Sequence, residues 1–197
     1  MTMPATLAIR LTTRNTVLIV VAMIAVQILL LRAEGHPFIC PCGYVKLWHG
    51  TAHSSENSQQ ILDWYSFTHI VHGFAIYFFL WWLWRDSSFA ARLIVAVLIE
   101  GGWEVLENSQ FVIDRYRAQT VSREYYGDSV INSVSDTVMM ILGFTLASRL
   151  PVLISVTLVT VMELGLVFLI GDSLILNIIM LIHPFETIKA WQATFIP

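Results

Sequence analysis

Five apolar stretches, separated by short polar segments, constrain the fold of this chain more than any other feature. They run approximately over residues 16–31, 67–84, 93–113, 130–150 and 152–170. The hydrocarbon core of a bilayer takes about 20 helical residues, so stretches of this length are typical of membrane spans. Only 13% of the residues are charged and the mean hydropathy is +0.69, which excludes an ordinary soluble domain. The chain is therefore predicted to be a membrane protein.

The same pattern predicts an all-α fold: a polytopic membrane helix bundle with five spans, forming one integral membrane domain over residues 1–197. A further apolar segment, residues 174–182, is too short to span and predicts a C-terminal interfacial or re-entrant helix. If that helix continues through Pro184, the alternative is six spans. The residues that follow the first stretch lack a small-x-small cleavage pattern, so a retained first helix is predicted rather than a signal peptide.

The number of basic residues between the stretches does not decide the orientation. With a cytoplasmic N-terminus, five lie on each side: Arg10, Arg14, Arg85, Arg92 and Arg149 inside, and Arg32, Lys46, Arg115, Arg117 and Arg123 outside. The basic N-terminal flank usually dominates, which favours a cytoplasmic N-terminus. The net charge of −3 and the lack of a basic run give no support to nucleic-acid binding, so the expected partner is the lipid bilayer.

Three of the stretches carry polar residues where hydrocarbon is expected, and all three place them towards the same side of the membrane. These residues are His69 and His72, then Glu100, Glu104 and Glu107, and finally Asn132 and Asp136. A charged side chain inside a bilayer is costly, normally faces the bundle interior and usually marks function. The sequence therefore predicts a polar intramembrane site near the outer leaflet.

The residue types in this site indicate two kinds of chemistry. His69 and His72 are three residues apart on one helical face, and with Glu104 and Asp136 they are candidate ligands of a divalent metal such as zinc. Glu104, Glu107, Asp136 and His72 are also candidate catalytic acids or bases. The alternative is that the carboxylates pair with arginines and only hold the helices together.

The segment between the third and fourth stretches carries candidate substrate-binding residues. Arg115, Arg117 and Arg123 suit a phosphate-bearing headgroup, although a segment that only touches lipid surfaces would have the same composition. Asn108 and Asn132, beside the carboxylates, are further candidates for substrate binding. Asp128, just before the fourth stretch, is predicted to cap that helix.

The first outer loop holds both cysteines of the chain. Cys40 and Cys42 are candidate ligands of a soft metal, copper or zinc, and His49 and His53 are spaced to complete four ligands. The alternative is an intramolecular or intermolecular disulfide. Glu163, in the fifth stretch, is isolated and receives no role.

Motifs spread over nearly the whole chain carry a resemblance to a known family. They are CPCGYVKLWHG at residues 40–50, DWYSFTHIVHGF at 63–74, WEVLEN at 103–108, GDSVINSVSD at 127–136 and IGDSLILNIIMLIHP at 170–184. With these motifs the chain resembles a family of uncharacterised small bacterial inner-membrane proteins. The resemblance implies one compact, multi-pass domain in the bacterial inner membrane and no particular reaction. A looser similarity is to VanZ-like membrane proteins, from which no activity is carried over.

Three functions fit these observations. The first is a membrane-embedded hydrolase or transferase acting on a lipid-linked or phosphate-bearing substrate, with a metal-activated water and Glu107 or Glu100 as acid or base. The second is metal or proton handling without covalent chemistry. The third is an accessory subunit that packs against a partner in a larger membrane complex. Three glutamates on one helical face favour an enzyme over an accessory subunit in which these residues only hold the helices together.

Overall fold

A computed structural model describes residues 11–196 of the chain. Within this range the protein is all-α, as the sequence predicts, with eight α-helices and a short terminal 3₁₀ turn. The helices are α1 (Thr13–Glu34), α2 (Ser66–Leu83), α3 (Phe89–Glu107), α4 (Gln110–Gln119), α5 (Val130–Ala147), α6 (Val152–Ile170), α7 (Leu174–Ile182) and α8 (Glu186–Gln192), and the turn is Ala193–Phe195. Arg10, half of the basic N-terminal flank, lies outside the described residues.

Four of the described helices, α1, α2, α5 and α6, are long and apolar enough to cross a membrane. The first is longer than its apolar stretch, because Thr12 caps its start and Gly35 ends it in a left-handed conformation (φ +97°). Helix α3 has a comparable length of 19 residues. It carries more charged side chains than any of the four: Arg92, Glu100, Glu104 and Glu107.

The third apolar stretch does not form one helix over residues 93–113, so that prediction is wrong at its C-terminal end. Helix α3 ends at Glu107, and α4 begins at Gln110. The side chain of Asn108 causes the break: its amide donates to Glu104 O at 2.9 Å and to Asp128 Oδ2 at 2.8 Å. Its carbonyl oxygen accepts from the Asp128 N–H at 2.6 Å. These bonds give a backbone carbonyl at the end of α3 a hydrogen-bond donor and connect the end of the helix to the loop before α5.

Helices α2 and α5 pack closely at a pair of glycines. A Cβ on Gly73 would lie 2.2 Å from Met140 O, and a Cβ on Gly143 would lie 2.1 Å from Ile70 O. Small residues such as these allow a close approach of membrane helices. The contact fixes the relative height of α2, which carries His69, and α5, which carries Asp136.

The apolar core and the polar residues occupy opposite halves of the bundle. The core cluster consists of Leu80, Ala96, Val97, Met140 and Phe144. It lies towards the C-terminal ends of α2 and α5, whereas His69 and Asp136 lie towards their N-terminal ends. Residues 36–65 form an irregular cap at the polar end, between α1 and α2.

The C-terminal segment, residues 171–196, lies against the polar end and is secured by side chains of two other helices. Glu163, to which the sequence gives no role, accepts hydrogen bonds from the backbone N–H groups of Leu174 and Ile175 and thereby caps α7. At the other end of α7 the Arg115 guanidinium donates to the carbonyls of Leu181 and Ile182. Helix α7 is thus held at both termini.

Candidate active site

His69 lies at the centre of a cluster of buried carboxyl groups. Its Nδ1 is 2.6 Å from Glu100 Oε1 and 3.3 Å from Glu104 Oε1. Its Nε2 is 3.8 Å from Asp136 Oδ2, and Asp136 Oδ1 accepts from the Ser66 hydroxyl at 3.1 Å. Helices α2, α3 and α5 therefore bring one imidazole into contact with three carboxyl groups. The spacing in the sequence predicts that His69, Glu104 and Asp136 lie close together, but not that Glu100 makes the shortest contact.

His72 joins the cluster from the next turn of α2. Its Nδ1 is 3.2 Å from each carboxylate oxygen of Glu100, and its ring packs edge-on against that of His69 at 5.1 Å. His72 also lines the adjoining cavity. Its Nε2 has no hydrogen-bond partner among residues 11–196, so a buried carboxylate orients an imidazole whose second nitrogen is free for a ligand.

Glu104 is fully buried and has one oxygen without a hydrogen-bond donor. Oε2 accepts from the Ser133 hydroxyl at 2.7 Å. Oε1 has no hydrogen-bond partner in the described part of the chain and lies near His69 Nδ1. A buried carboxylate oxygen in this state is costly unless a proton or a cation reaches it.

Two groups of side chains have donor atoms close enough to share a cation. In each group one ligand atom from every residue lies within 4.8 Å of the others: His69, His72 and Glu100 form the first, and His69, Glu104 and Glu107 the second. Asp136, which the sequence also proposes as a ligand, contacts His69 but belongs to neither group. Imidazole nitrogens and carboxylate oxygens are typical ligands of zinc.

A cavity of about 820 Å³ opens beside the cluster. This volume lies within the usual range for small-molecule sites. Its polar lining includes His69, His72, Glu107, Asp136, Asp128, Tyr65, Tyr116, Tyr125, Arg123 and Lys189, and its apolar lining includes Trp103, Leu174, Ile178, Leu181 and Ile196. The cavity is thus lined both by members of the histidine–carboxylate cluster and by residues of the C-terminal segment.

The three arginines proposed for substrate binding occupy different places. Arg123 lines the cavity and is exposed. Arg115 and Arg117 lie on α4 away from the cavity lining: Arg115 binds the end of α7, and Arg117 donates to Arg123 O and stacks over Tyr126 at 4.4 Å. The second cation of the cavity is Lys189 in α8, which the sequence analysis missed because an isolated lysine near the end of a chain has no distinguishing pattern.

Asn108 and Asn132 are buried and bonded to the backbone of other segments. Asn108 binds Asp128, as described for the end of α3, and the Asn132 amide donates to Gln60 O at 2.9 Å. Neither residue lines the cavity. Both hold the irregular cap and the loop before α5 in place.

Asp128 does not cap α5, which corrects the prediction from its position. The N-cap residue is Ser129, whose hydroxyl accepts from the Asn132 N–H. Asp128 instead lines the cavity and accepts from Asn108 and, at 3.1 Å, from the Tyr125 hydroxyl. Burial, and to a smaller extent the nearby Glu107 carboxyl, raises the pKa of Asp128 to about 7.

The two cysteines form a disulfide, one of the alternatives that the sequence leaves open. In this state neither Cys40 nor Cys42 offers a thiolate to a metal. The two histidines that could complete such a site are bonded elsewhere: His49 Nε2 is 2.8 Å from Ser54 Oγ, and His53 Nε2 is 3.2 Å from Ile170 O. His53 lines the cavity instead.

Sequence reasoning missed one buried polar residue that contacts the cluster indirectly. Gln27 lies in α1 and donates to the Ser133 hydroxyl at 2.8 Å. The available signal was a carboxamide near the end of an otherwise apolar stretch.

Together the fold and the site define an all-helical protein with four candidate membrane spans and a buried histidine–carboxylate cluster at a cavity. The family described as "Protein of unknown function (DUF2585)" matches residues 31–194, and the chain belongs to this family of uncharacterised bacterial proteins, also called UPF0314. No solved structure matches the chain.

Three relatives illustrate how similar members of the family are. A UPF0314 protein of Sinorhizobium fredii is 50% identical over 171 residues, covering 87% of each chain. One from Paracoccus denitrificans is 52% identical over 159 residues, covering 81% of this chain and 82% of its own. One from Sphingopyxis alaskensis is 48% identical over 176 residues, covering 89% of this chain and 94% of its own.

Proposed function

We propose that this protein is a metal-dependent hydrolase or transferase embedded in the bacterial inner membrane, acting on a lipid-linked or phosphate-bearing substrate. The observation that carries the proposal is the position of the histidine–carboxylate cluster, four members of which, His69, His72, Glu107 and Asp136, line a cavity of about 820 Å³. Structural ion pairs have no need of a cavity, whereas a catalytic site must admit its substrate.

The balance of charges in the cluster supports a bound divalent cation. Four carboxyl groups, Glu100, Glu104, Glu107 and Asp136, surround two imidazoles, those of His69 and His72. Neutral imidazoles and ionised carboxylates would leave an uncompensated negative charge in a low-dielectric region, which is costly. Glu104 Oε1 supports the same conclusion, because it is buried, has no hydrogen-bond donor among residues 11–196 and lies 3.3 Å from His69 Nδ1.

The residues of the chain have separate roles in the proposed reaction. Two groups that share His69, one with His72 and Glu100 and the other with Glu104 and Glu107, would hold the cation, which when bound would supply a nucleophilic water and polarise the scissile group. Asp136, which lines the cavity beside His69, is placed to take or return a proton. Arg123 and Lys189, which line the same cavity, would bind the anionic group of the substrate.

The membrane topology that accompanies this function has five spans, α1, α2, α3, α5 and α6. Helix α3 is as long as the other spans, and its carboxylates face the bundle interior, so its charge does not prevent it from spanning. Helix α7, with nine residues, covers only about 14 Å and lies at the interface. The Cys40–Cys42 disulfide, at the polar end, favours the oxidising periplasmic side and hence a cytoplasmic N-terminus.

Elemental analysis of the detergent-purified protein after incubation with zinc or manganese tests the proposal. We expect stoichiometric metal in the unaltered protein and its loss in a variant with both His69→Ala and His72→Ala. The matched control is His183→Ala, which removes an exposed imidazole outside the cluster and should retain the metal.

Release of inorganic phosphate from a prenyl phosphate or a phosphatidic acid in mixed micelles tests the reaction itself. Activity should require added metal and should be lost in the double histidine variant. Absence of bound metal under every metal tested would contradict the proposal. Co-purification of a stoichiometric partner without bound metal would favour the accessory subunit instead.

A further inference from the structure

Gln27 is a buried polar residue in the first membrane helix. Its side chain is only 4% exposed, although most of α1 is apolar and faces outward. A carboxamide in hydrocarbon costs free energy unless each of its polar atoms is hydrogen-bonded. The contacts of Gln27 therefore indicate what the residue does.

Hydrogen bonds on both ends of the amide fix its orientation. The Thr137 hydroxyl donates to Gln27 Oε1 at 3.0 Å, and the Ser133 carbonyl, which can only accept, identifies Nε2 as the donor end of the amide. Gln27 Nε2 donates to Ser133 Oγ at 2.8 Å and to Ser133 O at 3.2 Å. Both partners lie on α5, one turn apart, so Gln27 connects α1 to the helix that carries Asp136.

The amide of Gln27 determines where the single proton of the Ser133 hydroxyl points. Because Gln27 fills the acceptor side of Ser133 Oγ, the hydroxyl donates to Glu104 Oε2, at 2.7 Å. Glu104 is then held with Oε1 near His69 Nδ1, at 3.3 Å, where no described residue donates a hydrogen bond to it. The result is a directed chain from Gln27 through Ser133 to the oxygen that faces the cluster.

We propose that Gln27 is a positioning residue of the metal site: it acts through Ser133 to hold the Glu104 carboxylate with Oε1 turned towards the cation. This inference rests on the proposed metal-dependent function. It extends the site to α1, which contributes no ligand of its own. Partners of ligating carboxylates commonly affect metal affinity by about 10–100-fold.

Metal affinity of three single variants, measured by isothermal titration with Zn²⁺ in detergent, tests the proposal. Gln27→Met keeps the approximate volume but removes the donor, and we expect roughly 10–100-fold weaker binding. Ser133→Ala should weaken binding similarly, and Ser133→Thr, which keeps the hydroxyl, should restore it. The control is Thr16→Val, because Thr16 is buried in the same helix and its hydroxyl donates to Thr12 O, outside the cluster.

Thermal melting of the metal-free proteins separates positioning from a merely structural role. If Gln27→Met lowers the melting temperature but leaves the Zn²⁺ affinity equal to that of the unaltered protein, the inference is overturned while the proposed function stands. If the unaltered protein itself binds no Zn²⁺, the proposed function fails and the inference fails with it. Weaker binding in Gln27→Met and Ser133→Ala, with Thr16→Val unchanged, supports it.

Discussion

The Glu100 carboxylate contacts two imidazoles at once: Oε1 lies 2.6 Å from His69 Nδ1, and both oxygens lie 3.2 Å from His72 Nδ1. One side chain of α3 thereby orients two consecutive polar turns of α2. Sharing of this kind makes Glu100 the residue on which the geometry of the cluster most depends.

Replacement of Glu100 by glutamine should weaken metal binding by at least 10–100-fold, because the amide is a poorer ligand and leaves one imidazole without an acceptor. Titration of the purified variant with Zn²⁺ measures this. The matched control is Glu124→Gln, which neutralises an exposed carboxyl that also lines the cavity. If Glu100→Gln and the unaltered protein bind Zn²⁺ with equal affinity, Glu100 does not contribute to the metal site.

Gly143→Ala should destabilise the helix bundle. The added Cβ would lie 2.1 Å from Ile70 O, so α2 and α5 must move apart, at a cost of at least about 1–3 kcal/mol. Thermal melting in detergent checks this, with Gly165→Ala in α6 as control, because nothing lies within 4 Å of a Cβ there. A melting temperature that falls equally in both variants would show that the effect does not come from the α2–α5 contact.

Asp128 should make the stability of the protein fall as the pH rises towards 7. In the folded protein its pKa is about 7, against an ordinary value of 3.8, because the carboxyl is buried. Between these values the folded state binds more protons than the unfolded state, so its stability decreases with rising pH. Asparagine stays neutral, and the melting temperature of Asp128→Asn relative to the unaltered protein should therefore rise from about pH 5 to about pH 8.

The control for this pH dependence is Asp86→Asn, which replaces an exposed carboxyl in the connection between α2 and α3. Its melting temperature relative to the unaltered protein should stay constant over the same pH range. A constant difference for Asp128→Asn as well would contradict the assignment of this titration to Asp128.

Arg115→Met should loosen the C-terminal segment without unfolding the bundle. The guanidinium binds the carbonyls of Leu181 and Ile182, and loss of a charged donor leaves the end of α7 without its partner. Hydrogen exchange should become faster over residues 174–196 and stay unchanged in α5. Arg117→Met is the control, since Arg117 contacts Arg123 and Tyr126 instead; equal exchange in both variants would exclude this role for Arg115.

A thiol-labelling experiment tests the orientation. Intact cells treated with a membrane-impermeant reductant and then with an impermeant maleimide should label Cys40 and Cys42, because the disulfide lies at the end assigned to the periplasm. Without reductant, labelling should be absent. Labelling that requires disrupted cells would reverse the orientation and place the cluster near the cytoplasmic leaflet.

Several elements of the fold were readable from local patterns. The bounds of α6 and α7 coincide with their apolar segments, since Pro151, Gly171 and Ser173 mark the ends in the chain itself. The convergence of His69, Glu104 and Asp136 followed from spacing and from the alternation of helices across a membrane. Residues at equal depth on successive helices lie close to one another in either orientation of the protein in the membrane.

Other features depended on contacts between segments distant in the sequence. The break after Glu107 comes from Asn108 binding Asp128, twenty residues away, and the role of Arg115 comes from the carbonyls of α7. Gln27 and Glu163 looked alike, each an isolated polar residue in an apolar helix. Only their partners distinguished them: Ser133 for one, and the N-terminus of α7 for the other.

The sequence by itself therefore determined the helical class, the bounds of α6 and α7 and the side of the bundle on which the polar residues gather. Apolar length and 3.6-residue periodicity depend only on residues that are close together in the chain, so the sequence alone reveals them. Tertiary structure alone decided which polar atoms are satisfied and which face the cavity. The Ser133 hydroxyl satisfies one oxygen of Glu104 and leaves the other without a donor, because that arrangement depends on where three helices meet.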